Sequence, residues 1–319
     1  MRPRFYAKAV KAYLLYRLNK NVPFIAHLHI NLSCNLTCKH CSIVQHARKK
    51  KISNLFSKED ILSAIDEISK VGTPIVSVIG GEPMLDKNTE EFGKRIKSKG
   101  MYSILTTNGT FLTEERAKKV VESFDCVRIS VDGLKETHDL IRGKGNFEKT
   151  LRGIEYLNSF NKRNKSKIML NFVVQKDNEK EMEAVQEFFK DKCEGVTFIP
   201  HSTSNGIYHS KNIDSSWKNL NMNKKTGNTD DFISGKPSLE LGKLYCDGGR
   251  SKISILPNGD VSPCLLTFNK MGNLSKKGLK SILNSEKPES LKKSIKNCEG
   301  CYNVCTTQLN QVLNMNPLK

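Results

Sequence analysis

The chain of 319 residues lacks what a membrane-spanning or exported protein carries. It has no run of about 18 or more apolar residues, so nothing in it reads as a spanning helix. The short apolar stretch AYLLYRL (Ala12 to Leu18) contains Arg17, and no small-residue cleavage site follows it. It is not a secretory signal, and a cytoplasmic protein is the default. Tryptophan is nearly absent. Trp217 stands alone, in a polar stretch where packing and a substrate contact are both open. Acidic residues are missing from positions 1 to 24, which hold Arg2, Arg4, Lys8, Lys11, Arg17 and Lys20 between apolar residues. Residues 1–23 therefore read as a basic amphipathic helix. It either packs on the domain or makes peripheral contact with an anionic membrane or another polyanion.

What is present is enough for a substantial core. Hydrophobic residues make up 37% and charged residues 27%, with a net charge of +19. That excess suits either solvated lysine-rich faces or an acidic partner. From Phe24 onward, apolar runs alternate with helical patterns. The runs are Phe24 to Ile30, Pro74 to Gly80, Met101 to Gly109, Cys126 to Gly133, Lys167 to Gln175 and Gly195 to Ser202. Helices are expected at Lys58 to Lys70 with Ser57 as N-cap, Lys87 to Lys99 ending at Gly100, Thr113 to Ser123, Phe147 to Phe160 and Glu179 to Phe189. Six strands with five crossover helices predict an α/β fold of parallel strands, an open sheet or a partial (β/α)6 barrel, over residues 24–203. Ligand-binding groups then belong at the C-terminal ends of the strands. Residues 204–244 turn polar and read as a linker or insertion. Residues 245–319 read as a small cysteine-rich α+β domain, with a hairpin turning at Asn258-Gly259 and a helical stretch over Leu279 to Ile295.

Ten cysteines in a cytosolic chain ask for an explanation other than disulfides. Cys126 and Cys193 are most simply core thiols. The remaining eight form two groups, Cys34, Cys38 and Cys41, then Cys246, Cys264, Cys298, Cys301 and Cys305. The first group, CNLTCKHC, follows the first strand and so sits on the binding rim. Zinc would need a fourth ligand, from His40 or His46. Three thiolates can instead hold three irons of a four-iron cluster and leave the fourth open.

The C-x3-C-x2-C spacing after a first strand resembles the radical S-adenosylmethionine (SAM) enzymes. So do GGEP (Gly80 to Pro83) after the second strand, TTNG after the third and SVDG after the fourth, in the same order over about residues 24–202. The resemblance implies that Cys34, Cys38 and Cys41 bind a [4Fe-4S] cluster whose open iron chelates SAM. It implies reductive cleavage to a 5′-deoxyadenosyl radical, which abstracts hydrogen from a substrate. It implies cofactor contacts from Gly80, Gly81, Glu82 and Pro83, from Thr107 and Asn108, and from Ser130 and Asp132. Arg142 is expected at the SAM carboxylate or paired with an acidic neighbour. Asn171 is expected at the ribose, Ile199 and Pro200 at the adenine, and His40 there through its backbone. A low-potential electron donor of the flavodoxin or ferredoxin type is implied as a partner.

The second group resembles the SPASM and twitch extensions of these enzymes. That implies one auxiliary [4Fe-4S] cluster on Cys246, Cys264, Cys298 and Cys301, with Cys305 as the alternative ligand; structural zinc is the competing reading. No general base stands out: His201, His209 and Asp247 are positioned for the role, but each serves equally well on a surface or as a cap. The resemblance implies modification of a peptide or protein substrate, with the synthesis of a cofactor, lipid or other small molecule as the alternative. A nucleic-acid-binding metalloprotein would fit the charge but gives the six-strand motif order no purpose.

Overall fold

The computed structural model describes residues 3–41, 56–162, 165–200, 248–264, 269–287 and 289–296. In chain order they form α1 (Pro3–Arg17), β1 (Ile25–His29), α2 (Lys58–Lys70), β2 (Ile75–Ile79), α3 (Thr89–Ser98), β3 (Tyr102–Thr107), α4 (Glu114–Ser123), β4 (Cys126–Ser130), α5 (Lys135–Arg142), α6 (Asn146–Phe160), β5 (Lys167–Val174), α7 (Met182–Phe189), β6 (Gly195–Pro200), β7 (Lys252–Ile255), β8 (Asp260–Ser262), β9 (Gly272–Asn273), α8 (Leu279–Asn284) and α9 (Glu289–Lys296). Short 3-10 turns lie at Pro83–Leu85 and Glu179–Glu181. The segment 204–244, with Trp217, and the base candidates His201, His209 and Asp247 lie outside the described residues.

Local chemistry sets the helix ends. Ser57 and Asp60 cap α2 reciprocally, each accepting a hydrogen bond from the other's backbone N–H. Thr113 caps α4 through Arg116 N. Gly100, at φ +72°, lets the chain turn from α3 into β3. Two helical readings need correction. The segment before Phe147 holds a helix of its own, α5, with no side-chain cap to announce it. The single stretch expected over Leu279 to Ile295 is two helices, with Pro288 between them in the sequence. Proline supplies no N–H to continue a helix.

The six strands β1 to β6 are parallel and lie in sequence order, forming the expected partial barrel. The sheet does not end at β1. Strand β7 pairs with β1 in parallel, Ile25 opposite Lys252, and the hairpin β7–β8 and then β9 continue outward, making nine strands among the described residues. Gly259, at φ +81°, sits at the hairpin turn. The small C-terminal region is therefore joined to the barrel through its sheet.

Residues of alternating parity split between two faces. Ala26, Leu28, Val76, Val78, Leu105, Val127, Ile129, Leu170 and Phe172 pack outward against the helices in the main core. The inward face is different in kind. Its floor is apolar, where Phe5 of α1 inserts among Ile75, Tyr102, Ile104, Cys126 and Met169 at the N-terminal ends of the strands. Above that floor the lumen is polar. Arg128 donates to Asn171 Oδ1 at 3.0 Å and to Thr197 Oγ1 at 3.2 Å. His27 stands between Ser77 of β2 and Ser254 of β7. His27 and His29 are buried, and neither ring has a hydrogen-bond partner among the described residues.

Burial pushes both imidazoles down to about 3 from an ordinary 6.5, with His29 and Lys252 adding to the effect on His27. The folded chain thus holds them neutral while the unfolded chain protonates them. Their contribution to stability is complete above pH 6.5 and is lost as pH falls toward 3. Urea-unfolding free energy measured across that window should fall steadily. The double variant His27→Gln, His29→Gln should flatten the slope; an unchanged slope would assign the acid sensitivity to other groups.

Candidate active site

The loop Asn31 to Cys41 has no regular structure to hold three thiols in place, and the chain holds it from outside. The β1–β2 ladder runs on past both strands. Ile30 N donates to Ile79 O (3.0 Å), Gly81 N to Asn31 O (3.0 Å) and Glu82 N to Ser33 O (2.8 Å). Asn31 Nδ2 returns a bond to Glu82 O at 3.0 Å. The approach is so close that a Cβ on Gly81 would lie 2.1 Å from Ser33 O, and one on Gly80 would lie 2.5 Å from Asn31 O. The two glycines are therefore required by the protein's own backbone.

Farther along, Asn35 donates to Thr110 Oγ1 (2.9 Å) and accepts from Asn108 Nδ2 (3.0 Å). Lys39 N donates to Ile141 O of α5 at 3.0 Å. Arg142, also on α5, points its Nη1 at Cys38 Sγ, 3.9 Å away. Its Nε donates to Asp132 Oδ2 at 2.6 Å. Asp132 is fully buried. Its other oxygen accepts from Val173 N (2.8 Å), and His40 Nε2 stands 3.7 Å from Oδ2. Burial alone raises an aspartate, but here Arg142 first, and then His40 and the Val173 N–H, hold Asp132 below the ordinary carboxylate value.

A second buried carboxylate braces the other side. Glu82 accepts from Met84 N (2.9 Å), Thr107 Oγ1 (2.6 Å) and Asn108 N (2.7 Å). Burial raises its pKa against those donors and Arg142.

The candidates from the sequence thus divide. Gly80, Gly81, Ser130 and Ile199 keep partial exposure at the C-terminal ends of the strands, as does Asn171, which pairs with Ser130. Pro200 closes β6 at the same end. By contrast His40, Glu82, Thr107, Asn108, Asp132 and Arg142 are buried, and their side chains engage other protein groups. Pro83 is buried in the turn behind them. These side chains brace the loop, which leaves the main chain of Gly80 to Pro83 and of His40 for the cofactor contacts that the resemblance implies. Arg142 takes the alternative already open to it, pairing with an acid. Asn171, partly exposed, also accepts from Arg128. The sequence reading missed Asn31, Asn35 and Thr110. It also missed Arg128, His27 and His29, whose polar positions alternate with apolar ones along their strands and so share the inner face.

The thiols fit a cluster. Cys34, Cys38 and Cys41 form no disulfide, and their charges are mutually felt. Burial pushes Cys38 up to about 11, and Arg142 pulls the other way. Metal binding would displace those protons. Of the second group, Cys264 is partly buried two residues beyond β8, while Cys246, Cys298, Cys301 and Cys305 lie outside the described residues.

Comparison with known proteins agrees with this geometry. The model of the radical SAM superfamily matches residues 29–189, and that of the SPASM iron–sulfur cluster-binding domain matches 246–306. The Fe-coproporphyrin III synthase of Methanosarcina barkeri is 30% identical over 188 residues, covering 58% of this chain and 45% of the relative. The AdoMet-dependent heme synthase of Nitratidesulfovibrio vulgaris is 32% identical over 170 residues, covering 52% and 44%. The chain spans less than half the length of these two curated relatives. Among solved structures, Streptococcus suis SuiB bound to its precursor peptide SuiA superposes with a TM-score of 0.64 at 17% identity, over 98% of this chain and 77% of SuiB. SuiB has also been solved with S-adenosylmethionine.

Two substitutions test the bracing. Gly81→Ala should cost the cysteine loop its share of reconstituted iron, about four per chain, while the fold melts near the parental temperature. Asp132→Asn strands a buried guanidinium, at about 3–5 kcal/mol, and should also slow SAM cleavage. Parental melting temperature and cleavage rate in Asp132→Asn would show that the Asp132–Arg142 pair braces nothing.

Proposed function

The chain belongs to the radical SAM superfamily, and from that premise we propose that it transforms a cofactor-type small molecule inside its barrel. It is a radical SAM enzyme with a [4Fe-4S] cluster, S-adenosylmethionine and an auxiliary iron–sulfur cluster in its SPASM domain. When bound, the first cluster supplies the electron that cleaves SAM to the 5′-deoxyadenosyl radical, the hydrogen-abstracting species.

The chain's own residues do the rest. Cys34, Cys38 and Cys41 hold the cluster on a loop that the Gly80-Gly81 turn fixes in position. Arg142, anchored by Asp132, sets a permanent positive charge beside the Cys38 sulfur, where thiolate charge accumulates. Ser130, Asn171 and Ile199 face the reacting side. Cys246, Cys264, Cys298 and Cys301 hold the auxiliary cluster, with Cys305 as the alternative ligand, and a low-potential flavodoxin- or ferredoxin-type protein delivers electrons.

The observation that carries the substrate reading is the identity of 30–32% over 188 and 170 residues with proteins named as synthases of haem-type cofactors. The lumen supports it: the buried Arg128 and Lys252 bring positive charge to its middle and lower part, and the neutral rings of His27 and His29 add polar surface, a lining suited to a small acidic molecule. Peptide modification is the second reading. It has the SuiB–SuiA likeness behind it, which at 17% identity concerns the fold.

Anaerobic reconstitution followed by SAM and a strong reductant should yield 5′-deoxyadenosine with about eight irons per chain, two four-iron clusters. Cys34→Ala should abolish the nucleoside. Cys264→Ala should retain it and stop product formation. Bound zinc with no nucleoside would refute the assignment, and turnover of a precursor peptide but of no tetrapyrrole precursor would favour the second reading.

A further inference from the structure

Helix α1 has two apolar faces, and the barrel uses only one. Phe5 is buried in the floor, Ala12 is buried with Val22 and Phe24, and Lys8 is tied to Ser69 O and Oγ at the end of α2. The opposite face carries Tyr6, Val10, Leu14 and Leu18 at four-residue spacing, which aligns them as one stripe. They are 51%, 58%, 55% and 69% exposed. Leu18 lies just past the helix, but Leu18 N donates to Leu14 O at 3.0 Å and continues its turn. At 3.6 residues per turn, Arg17 projects on one flank of the stripe and Lys11 and Arg4 on the other. All three are exposed, and residues 1 to 24 contain no acid.

We propose that this face docks the enzyme on an anionic lipid bilayer. The charge pattern selects that occupant. An apolar centre with cations along both flanks places side chains among acyl chains and ammonium and guanidinium groups among headgroup phosphates. A nucleic acid would want the cations at the centre, where the stripe is apolar. A second copy paired by two-fold symmetry would set these cations against their own counterparts.

Docking this way also orients the enzyme. α1 closes the floor, at the N-terminal ends of the strands, whereas the cysteine loop lies at their C-terminal ends. With the outer face of α1 in the headgroup layer, the catalytic mouth points away from the bilayer, and substrate enters from water. The proposal is independent of which substrate that is.

The test sediments the whole reconstituted chain with vesicles of phosphatidylcholine mixed with phosphatidylglycerol, and with phosphatidylcholine alone. The anionic vesicles should bind it and the neutral ones should not, with affinity falling as salt rises. Val10→Ser, Leu14→Ser, Leu18→Ser together should lower the partition coefficient by about tenfold or more at an unchanged melting temperature. Lys11→Glu should lower it by about fivefold for each unit of charge. 5′-Deoxyadenosine formation should be the same on vesicles and in solution. Failure to sediment with anionic vesicles, or equal partitioning of the triple variant, would overturn the proposal. So would a preference for duplex DNA over vesicles, or a lipid-independent dimer that the triple variant abolishes. Loss of activity in proportion to the bound fraction would overturn the orientation.

Discussion

The contact on which the site depends is between two stretches of main chain. Ser33 O and the Gly81 α-carbon lie so near that no side chain fits between them, and Glu82 N closes the contact with a hydrogen bond to the same oxygen. A loop bearing three thiols must be stiff before the cluster arrives, because ligands that wander pay ordering entropy on binding. Extending a parallel ladder beyond the strands is an economical way to stiffen it. Backbone bonds fix the loop's direction without using side chains, which stay available for Cys34 and Cys41. Glycine at positions 80 and 81 is the condition for that extension.

Charge completes the arrangement. Thiolates and sulfide bring negative charge into a site walled by buried residues, where it is costly unless compensated. Arg142 supplies the compensation beside Cys38, and Asp132 keeps Arg142 in place. Asp132 has its own partners in Val173 N and His40, which ties β5, β4, α5 and the cysteine loop into one buried knot. A buried pair of this kind adds little net stability but fixes one geometry. Here the geometry is the direction of a guanidinium relative to a sulfur.

Much of this was legible in the sequence where the signal was local. Ser57, Thr113 and Gly100 mark helix ends by their own chemistry, and six apolar runs alternating with helices imply the parallel sheet. The order of CNLTCKHC, GGEP, TTNG and SVDG located the rim. What could not be read was direction and distance in chain. A motif gives the position of Glu82 or Asp132 but not whether its carboxylate faces a ligand or the protein, and both face the protein. Helix α5 was missed because its N-terminus is fixed by Glu181, 47 residues on, which accepts from Leu134 N. The pairing of β7 with β1 joins residues more than two hundred apart in sequence, and no local pattern announces it.

That last pairing bears on how the two cysteine groups cooperate. Strand β7 runs with β1, and β8 runs back against it, Ser262 beside Ser254 and thus level with His27. Cys264, two residues farther on, therefore lies toward the floor of the barrel, whereas Cys34 lies beyond the rim. The ladder from Ile25 to Ser33 spans roughly 25 Å at about 3.3 Å per residue. Cys34 and Cys264 thus belong to opposite ends of one continuous sheet, with the polar lumen of His27, His29 and Arg128 between those levels. A substrate held in that lumen would lie between the cysteine loop at the rim and Cys264 toward the floor.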